Sequence, residues 1–257
     1  MNQAVPLLLL PGLMNDARVW SPLVTALGQE RKVEVAPTHL HDSIAASARE
    51  AIASMPPGLF AVAGFSLGGY VAQEVCRQAG DRIAGLGLVD TGARADSEEA
   101  KQIRRRMIQA VEGGDGSNAA AFSQVAQGFA SRIVHTSRLQ DRDLLQLLFD
   151  MASKVGSEGF VRQQRAAMSR TDTLDLLPRL HVPAVVVCGR EDQVTPFSLS
   201  QEMASLLPDA ELVPVDKAGH MSILEQPATV VAALVRWLRR VDAAAARLDV
   251  EIGFRRI

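Results

Sequence analysis

Short apolar runs alternate with amphipathic segments along most of the chain. The runs "VPLLLL" (5–10), "KVEVA" (32–36), "LFAVAG" (59–64), "IAGLGLVD" (83–90), "AVVVCG" (184–189) and "ELVPVD" (211–216) predict strands. Most are apolar at successive positions, not at every second one, so the sheet they form is covered by helices on both faces. Helical patterns fall between them, at about 17–28, 43–54, 67–79, 197–207 and 227–246. Pro183 precedes a strand and Pro227 opens the last helix, positions where proline is tolerated. This alternation predicts a mostly parallel central sheet joined by right-handed crossovers.

The pattern breaks between about Gly92 and Pro178. That stretch offers no strand, only helical patterns such as "SEEAKQIRRRMIQAVE", "RDLLQLLFDMASKV" and "EGFVRQQRAAM". It reads as a helical insertion, 93–178, laid over one edge of the sheet of a core domain made of 1–92 and 179–248. The tail "DVEIGFRRI" (249–257) has no partner in the pattern and is left unassigned. The opening "MNQAVPLLLLPG" is short, lacks a basic leader and is interrupted by Pro6 and Pro11. It reads as a strand, not as a signal peptide or a membrane span.

Composition narrows the function classes. With 257 residues, 47% of them apolar and 22% charged, the chain fits one soluble α/β domain with an insertion. A formal net charge of −2 supplies no field to draw nucleic acid or an anionic membrane. Cys76 and Cys188 lie far apart, with no Cys/His spacing around them. Neither a disulfide framework nor a metal site is expected, and a reducing, cytoplasmic location fits.

The candidate chemistry begins at Gly64-Phe65-Ser66-Leu67-Gly68, a G-x-S-x-G motif between a predicted strand and a predicted helix. A sharp strand-to-helix turn strains the central residue and needs small neighbours two positions to each side. It also lifts the hydroxyl above the carboxyl ends of the strands, next to a helix N-terminus. A serine hydroxyl is a poor nucleophile without a positioned base. His220, in "VDKAGHMSILEQP", leaves the end of the last strand and suits that role; His39 and His41 in "PTHLHDS" are competitors. For the carboxylate that orients the imidazole, Asp192 in "VVVCGREDQVTP" follows a strand, and Asp90 in "LVDTG" is the rival. Ser66, Asp192 and His220 follow the chain order nucleophile, acid, base.

The stretches "LLPGLMNDARVW", "GFSLGGYVAQE", "GREDQVTP" and "GHMSILEQP" together resemble the α/β-hydrolase fold superfamily, over about Leu7 to Leu238. The resemblance implies Ser66 as nucleophile, His220 as base, Asp192 as acid, and the insertion as the variable helical cap. One oxyanion donor is then the amide of Leu67. The other comes from the loop after the first strand, where the superfamily often has His-Gly-x and this chain has Pro11-Gly12-Leu13. That amide is assigned to Leu13, with Met14 the alternative. Met14, Phe65 and Met221 are expected to touch substrate.

The implied activity is a cofactor-independent, metal-free serine hydrolase of small carboxylic esters or lactones, working through an acyl-enzyme on Ser66. "GHMSILEQP" resembles the histidine loop of 3-oxoadipate enol-lactonases, which makes a lactonase one alternative. Carbon–carbon bond hydrolases share the triad but usually carry an aromatic residue where this chain has Met221. A non-catalytic ligand-binding or signalling module on the same scaffold is the reading from another class. The basic run Arg104-Arg105-Arg106 could hold a substrate carboxylate, but reads better as a solvated helix face.

Overall fold

The computed structural model describes residues 4–112 and 118–254. The first apolar run forms β1 (Leu7–Leu10), and the chain turns through a short 3-10 segment into α1 (Ser21–Leu27) and β2 (Val33–Val35). Next come α2 (Ile44–Ser54), β3 (Phe60–Phe65), α3 (Leu67–Gln78) and β4 (Ile83–Val89). Three helices follow without a strand: α4 (Glu98–Glu112), α5 (Asn118–Ile133) and α6 (Arg142–Ser169). The sheet then resumes with β5 (Ala184–Gly189), α7 (Phe197–Leu206), β6 (Ala210–Val215), α8 (Ser222–Glu225) and α9 (Pro227–Phe254).

The six strands form one all-parallel sheet in the order β2-β1-β3-β4-β5-β6. The four central strands are buried at every residue, while β2 and β6, at the edges, are mostly half-buried. That burial explains why the central runs show no alternation: both faces meet helices. α1 and α9 pack on one face; α2, α3 and α7 pack on the other. On the first face Trp237 of α9 lies over Gly85 and Gly87 and donates its indole N–H to the Pro183 carbonyl, 2.9 Å.

The chain leaves β1 in one direction to build β2 and returns on the other side to build β3. That reversal opens a crevice at the carboxyl ends of β1 and β3, where open α/β sheets place their sites. Helices α4–α6 roof this crevice, with Phe122, Phe160 and Ile108 forming a small core of their own against Met14 of the β1 loop. They cover the strand ends above the crevice. α6 is two helical segments joined at Gly156, whose φ of +72° breaks the helical path. The tail extends α9 as far as Phe254, and 255–257 lie outside the described residues. Among the described residues no helix is long and apolar enough to cross a membrane.

Candidate active site

Ser66 joins β3 to α3 with φ +52° and ψ −118°, outside the regions an L-residue prefers. Hydrogen bonds hold that strain. The Ser66 N–H donates to the Val89 carbonyl (2.9 Å), and the Ser66 carbonyl accepts from the Thr91 hydroxyl and the Gly69 N–H (both 2.8 Å). The flanking glycines are required by contact. A Cβ on Gly64 would stand 2.1 Å from the Gly68 carbonyl oxygen, and one on Gly68 would stand 2.0 Å from the Leu10 carbonyl oxygen. A Cβ on Gly69 would meet the Thr91 side chain at 2.4 Å, which explains the third glycine of the cluster.

His220 reaches Ser66 from the loop after β6. Its Nε2 lies 2.8 Å from Ser66 Oγ, and its Nδ1 lies 2.8 Å from Asp192 Oδ2. The Phe65 ring packs against the imidazole, with centroids 5.4 Å apart. Asp192 is itself oriented. Its Oδ1 accepts the N–H groups of Val194 (2.8 Å) and Thr195 (3.0 Å), and its Oδ2 accepts the Thr195 hydroxyl (2.7 Å). Burial alone would raise the Asp192 carboxyl, yet the facing imidazole and the Thr195 donors outweigh it and hold it below its ordinary value. Burial also favours the neutral form of His220, but the attraction of Asp192, reinforced by Asp90 and Glu225, leaves the imidazole above its usual 6.5.

The rivals of these residues lie elsewhere or do other work. Asp90 Oδ1 accepts the Gly189 N–H (2.8 Å) and its Oδ2 accepts the Ser222 hydroxyl (2.5 Å), so Asp90 ties β5 to the histidine loop without a hydrogen bond to the imidazole. Burial and the charge of Asp192 push its carboxyl up to about 8. Cys188 Sγ lies within 4.8 Å of oxygens of both carboxyls. Its thiol is raised by burial, and both carboxyls are already occupied by protein donors. His41 pairs with Glu50, and the carbonyl of His39 accepts from Arg162; neither ring lines the Ser66 cavity.

That cavity measures about 200 Å³ and is walled by Ser66, His220 and mainly apolar side chains. Phe65, Met221, Leu13 and Leu67 all line it. Met14 does not. With φ +56°, its side chain turns into the small core beneath α4–α6, and its N–H donates to Gln163 Oε1 at 2.9 Å. Met14 is therefore corrected both as a substrate contact in this cavity and as the alternative oxyanion amide, since its donor is already used. Leu67 opens α3, where the first N–H groups have no partner inside the helix.

Two supporting residues went unread in the sequence. Gln163 of α6 is fully buried; besides accepting from the Met14 N–H, it donates to the Gly12 carbonyl (3.2 Å) and to Thr38 Oγ1 (3.0 Å), and Thr38 donates to the Pro11 carbonyl (3.1 Å). Gly12 and Met14, on either side of Leu13 in the β1 loop, are thus both held by one amide on the roof. Glu225 does the same for the histidine loop. Its Oε1 accepts the N–H groups of Gly219 (2.9 Å) and Met221 (3.1 Å), and its Oε2 accepts that of His135 (2.6 Å). The His220 N–H donates to the Ile133 carbonyl at 2.7 Å, which anchors the loop to the end of α5. The only available signal for Glu225 was an acid beside Ile223 and Leu224, five residues after the histidine. Gln163 had none, because its partners lie more than a hundred residues away.

A parallel sheet with a strained serine elbow at its switch point, roofed by helices, defines the class. Residues 7–234 match the alpha/beta hydrolase family, and the chain belongs to it. Among its relatives, the pimeloyl-(acyl-carrier protein) methyl ester esterase of Chromobacterium violaceum is 28% identical over 180 residues, 69% of each chain. The structure of a malate-bound thermophilic esterase from Thermogutta terrifontis superposes with a TM-score of 0.79 at 29% identity, covering 94% of this chain and 92% of that one. The enol-lactonase from Burkholderia xenovorans LB400 shares the fold, with a TM-score of 0.79 at 20% identity and coverage of 91% and 92%.

Proposed function

We propose that the protein is a serine hydrolase of small carboxylic esters or lactones, acting through an acyl-enzyme on Ser66. Residues 93–178 serve as the cap over a core of 1–92 and 179–248. The observation that carries this reading is the continuous chain Ser66 Oγ to His220 Nε2 and His220 Nδ1 to Asp192, each link 2.8 Å. The esterase and lactonase names of its relatives support the same class of bond.

In this mechanism Ser66 Oγ attacks the acyl carbon as its proton passes to His220 Nε2. The amides of Leu13 and Leu67 stabilise the tetrahedral oxyanion, worth about 3 kcal/mol per donor in a dry site. His220 then protonates the leaving alkoxide, which stays tethered if the substrate is a lactone. Water, deprotonated by His220, attacks the acyl-enzyme and regenerates the Ser66 hydroxyl. Asp192 keeps the Nδ1 proton facing it and stabilises the imidazolium.

A fluorophosphonate tests the nucleophile and its base together. Ser66 should be the residue modified, located by mass spectrometry of the folded protein. The labelling rate should fall as pH drops, because protonated His220 cannot accept the serine proton. The midpoint should lie above 6.5, since the folded protein raises the imidazole. Labelling elsewhere, or none, overturns the reading; a midpoint of about 6 or lower overturns the role given to Asp192.

The acid is tested by a pair of isosteric variants. In Asp192→Asn, the two N–H groups on Oδ1 demand an oxygen there, which turns the amide NH₂ toward His220 Nδ1. That donor holds the imidazole in the wrong tautomer, and turnover should fall at least about 100-fold. Asp90→Asn should cost less than about tenfold, because Asp90 makes no hydrogen bond to the imidazole and an amide oxygen at its Oδ1 position can still accept from Gly189. The reverse order in kcat/KM would make Asp90 the acid.

A further inference from the structure

Of the three arginines in the run at 104–106, Arg104 departs from a solvated helix face. Its side chain is only 20% exposed and lines the same cavity as Ser66 and His220. Among the described residues it is the one permanently charged side chain in that lining. Arg104 is held in place. Its Nε donates to Asp96 Oδ2 at 2.6 Å, and Nη1 donates to Gln164 Oε1 at 2.7 Å.

The buried Asp96 is shared. Its other oxygen pairs with Arg170 Nη2 at 2.9 Å, and the Arg170 guanidinium lies 3.8 Å over the ring of Tyr70, itself a cavity residue. Two guanidiniums share one carboxylate, so this cluster beside a mainly apolar cavity carries one more positive charge than negative. A positive charge at a low-dielectric wall costs desolvation unless an anion meets it, and a carboxylate matches the guanidinium fork.

The geometry points to a substrate that is itself anionic: an ester or lactone that also bears a carboxylate, with Arg104 binding that carboxylate while Ser66 attacks the ester carbon. This rests on the hydrolase reading above.

The test compares matched probes in wild type, Arg104→Gln, Arg104→Lys and, as control, Arg105→Gln, whose native side chain is more than half exposed and pairs with Glu98. Mono-p-nitrophenyl glutarate against p-nitrophenyl butyrate places the carboxylate on the acyl side. 4-Acetoxybenzoate against phenyl acetate places it on the alcohol side. In at least one pair, wild type and Arg105→Gln should favour the anionic ester at least tenfold in kcat/KM. Arg104→Gln should erase that preference through KM, and Arg104→Lys should retain part of it. No anionic preference in either pair, or an Arg104→Gln loss equal for charged and neutral esters, overturns the inference and makes Arg104 a structural tie.

Failure of the hydrolase reading is distinguishable, because it would show as no turnover of any ester and no label on Ser66. Even then, calorimetry with glutarate decides the anion site. Binding to wild type should be at least tenfold tighter than to folded Arg104→Gln, and equal affinities overturn the inference.

Discussion

Ser66→Ala should lower kcat/KM for a p-nitrophenyl ester by about 10⁴-fold or more while the protein stays folded. The expectation rests on the role of the hydroxyl as the bond-forming atom. Without it, His220 has only water to activate, and what remains is the help of the oxyanion amides and of binding. A factor of 10⁴ corresponds to about 5.5 kcal/mol of transition-state stabilisation. Folding should be nearly untouched. The elbow is held by the backbone of Ser66, through Val89, Thr91 and Gly69, and alanine keeps those bonds. Turnover within about tenfold of wild type would mean that another nucleophile acts.

Gly68→Ala should have the largest effect on stability, for a reason unrelated to chemistry. Its Cβ would stand 2.0 Å from the Leu10 carbonyl oxygen and 2.7 Å from that of Pro11. Both obstacles are main chain, in β1 and the loop that follows it, so no side chain can swing aside. Relief requires moving α3 away from the sheet, at a cost of more than about 4 kcal/mol and a fall in Tm of about 10 °C or more. The matched contrast is Gly128→Ala in α5, where an added Cβ meets nothing within 4 Å. There alanine should stabilise by up to about 1 kcal/mol, since glycine is a poor helix former. Thermal melts of the two variants check both signs. A Gly68→Ala protein melting within about 2 °C of wild type would refute the packing described for the elbow.

The two variants separate what a motif needs from what it does. Gly64 and Gly68 let α3 start directly beneath Ser66, and in the proposed mechanism Ser66 is there for its hydroxyl. The same division runs through the rest of the site. In the proposed mechanism Asp192 and His220 carry the proton chemistry, while Thr195, Glu225 and Gln163 have their polar atoms committed to holding loops.

Local pattern alone determined much of this protein. The six strands, the parallel arrangement and the helical interruption follow from runs of apolar residues and their period, because each depends on residues near in sequence. That Ser66, Asp192 and His220 meet was legible too, since each sits where a loop leaves a strand in a parallel sheet, and all such loops share one rim. What only the tertiary structure decided are choices that depend on which side chains meet across the molecule. Met14 and Leu13 are neighbours in one turn, and only the amide of Gln163, 149 residues away, shows which N–H is occupied. Arg104, Arg105 and Arg106 are chemically identical in the sequence. The docking of α4 over the crevice turned one of them into the cavity and left Arg105 on the surface, because successive residues on a helix point about 100° apart.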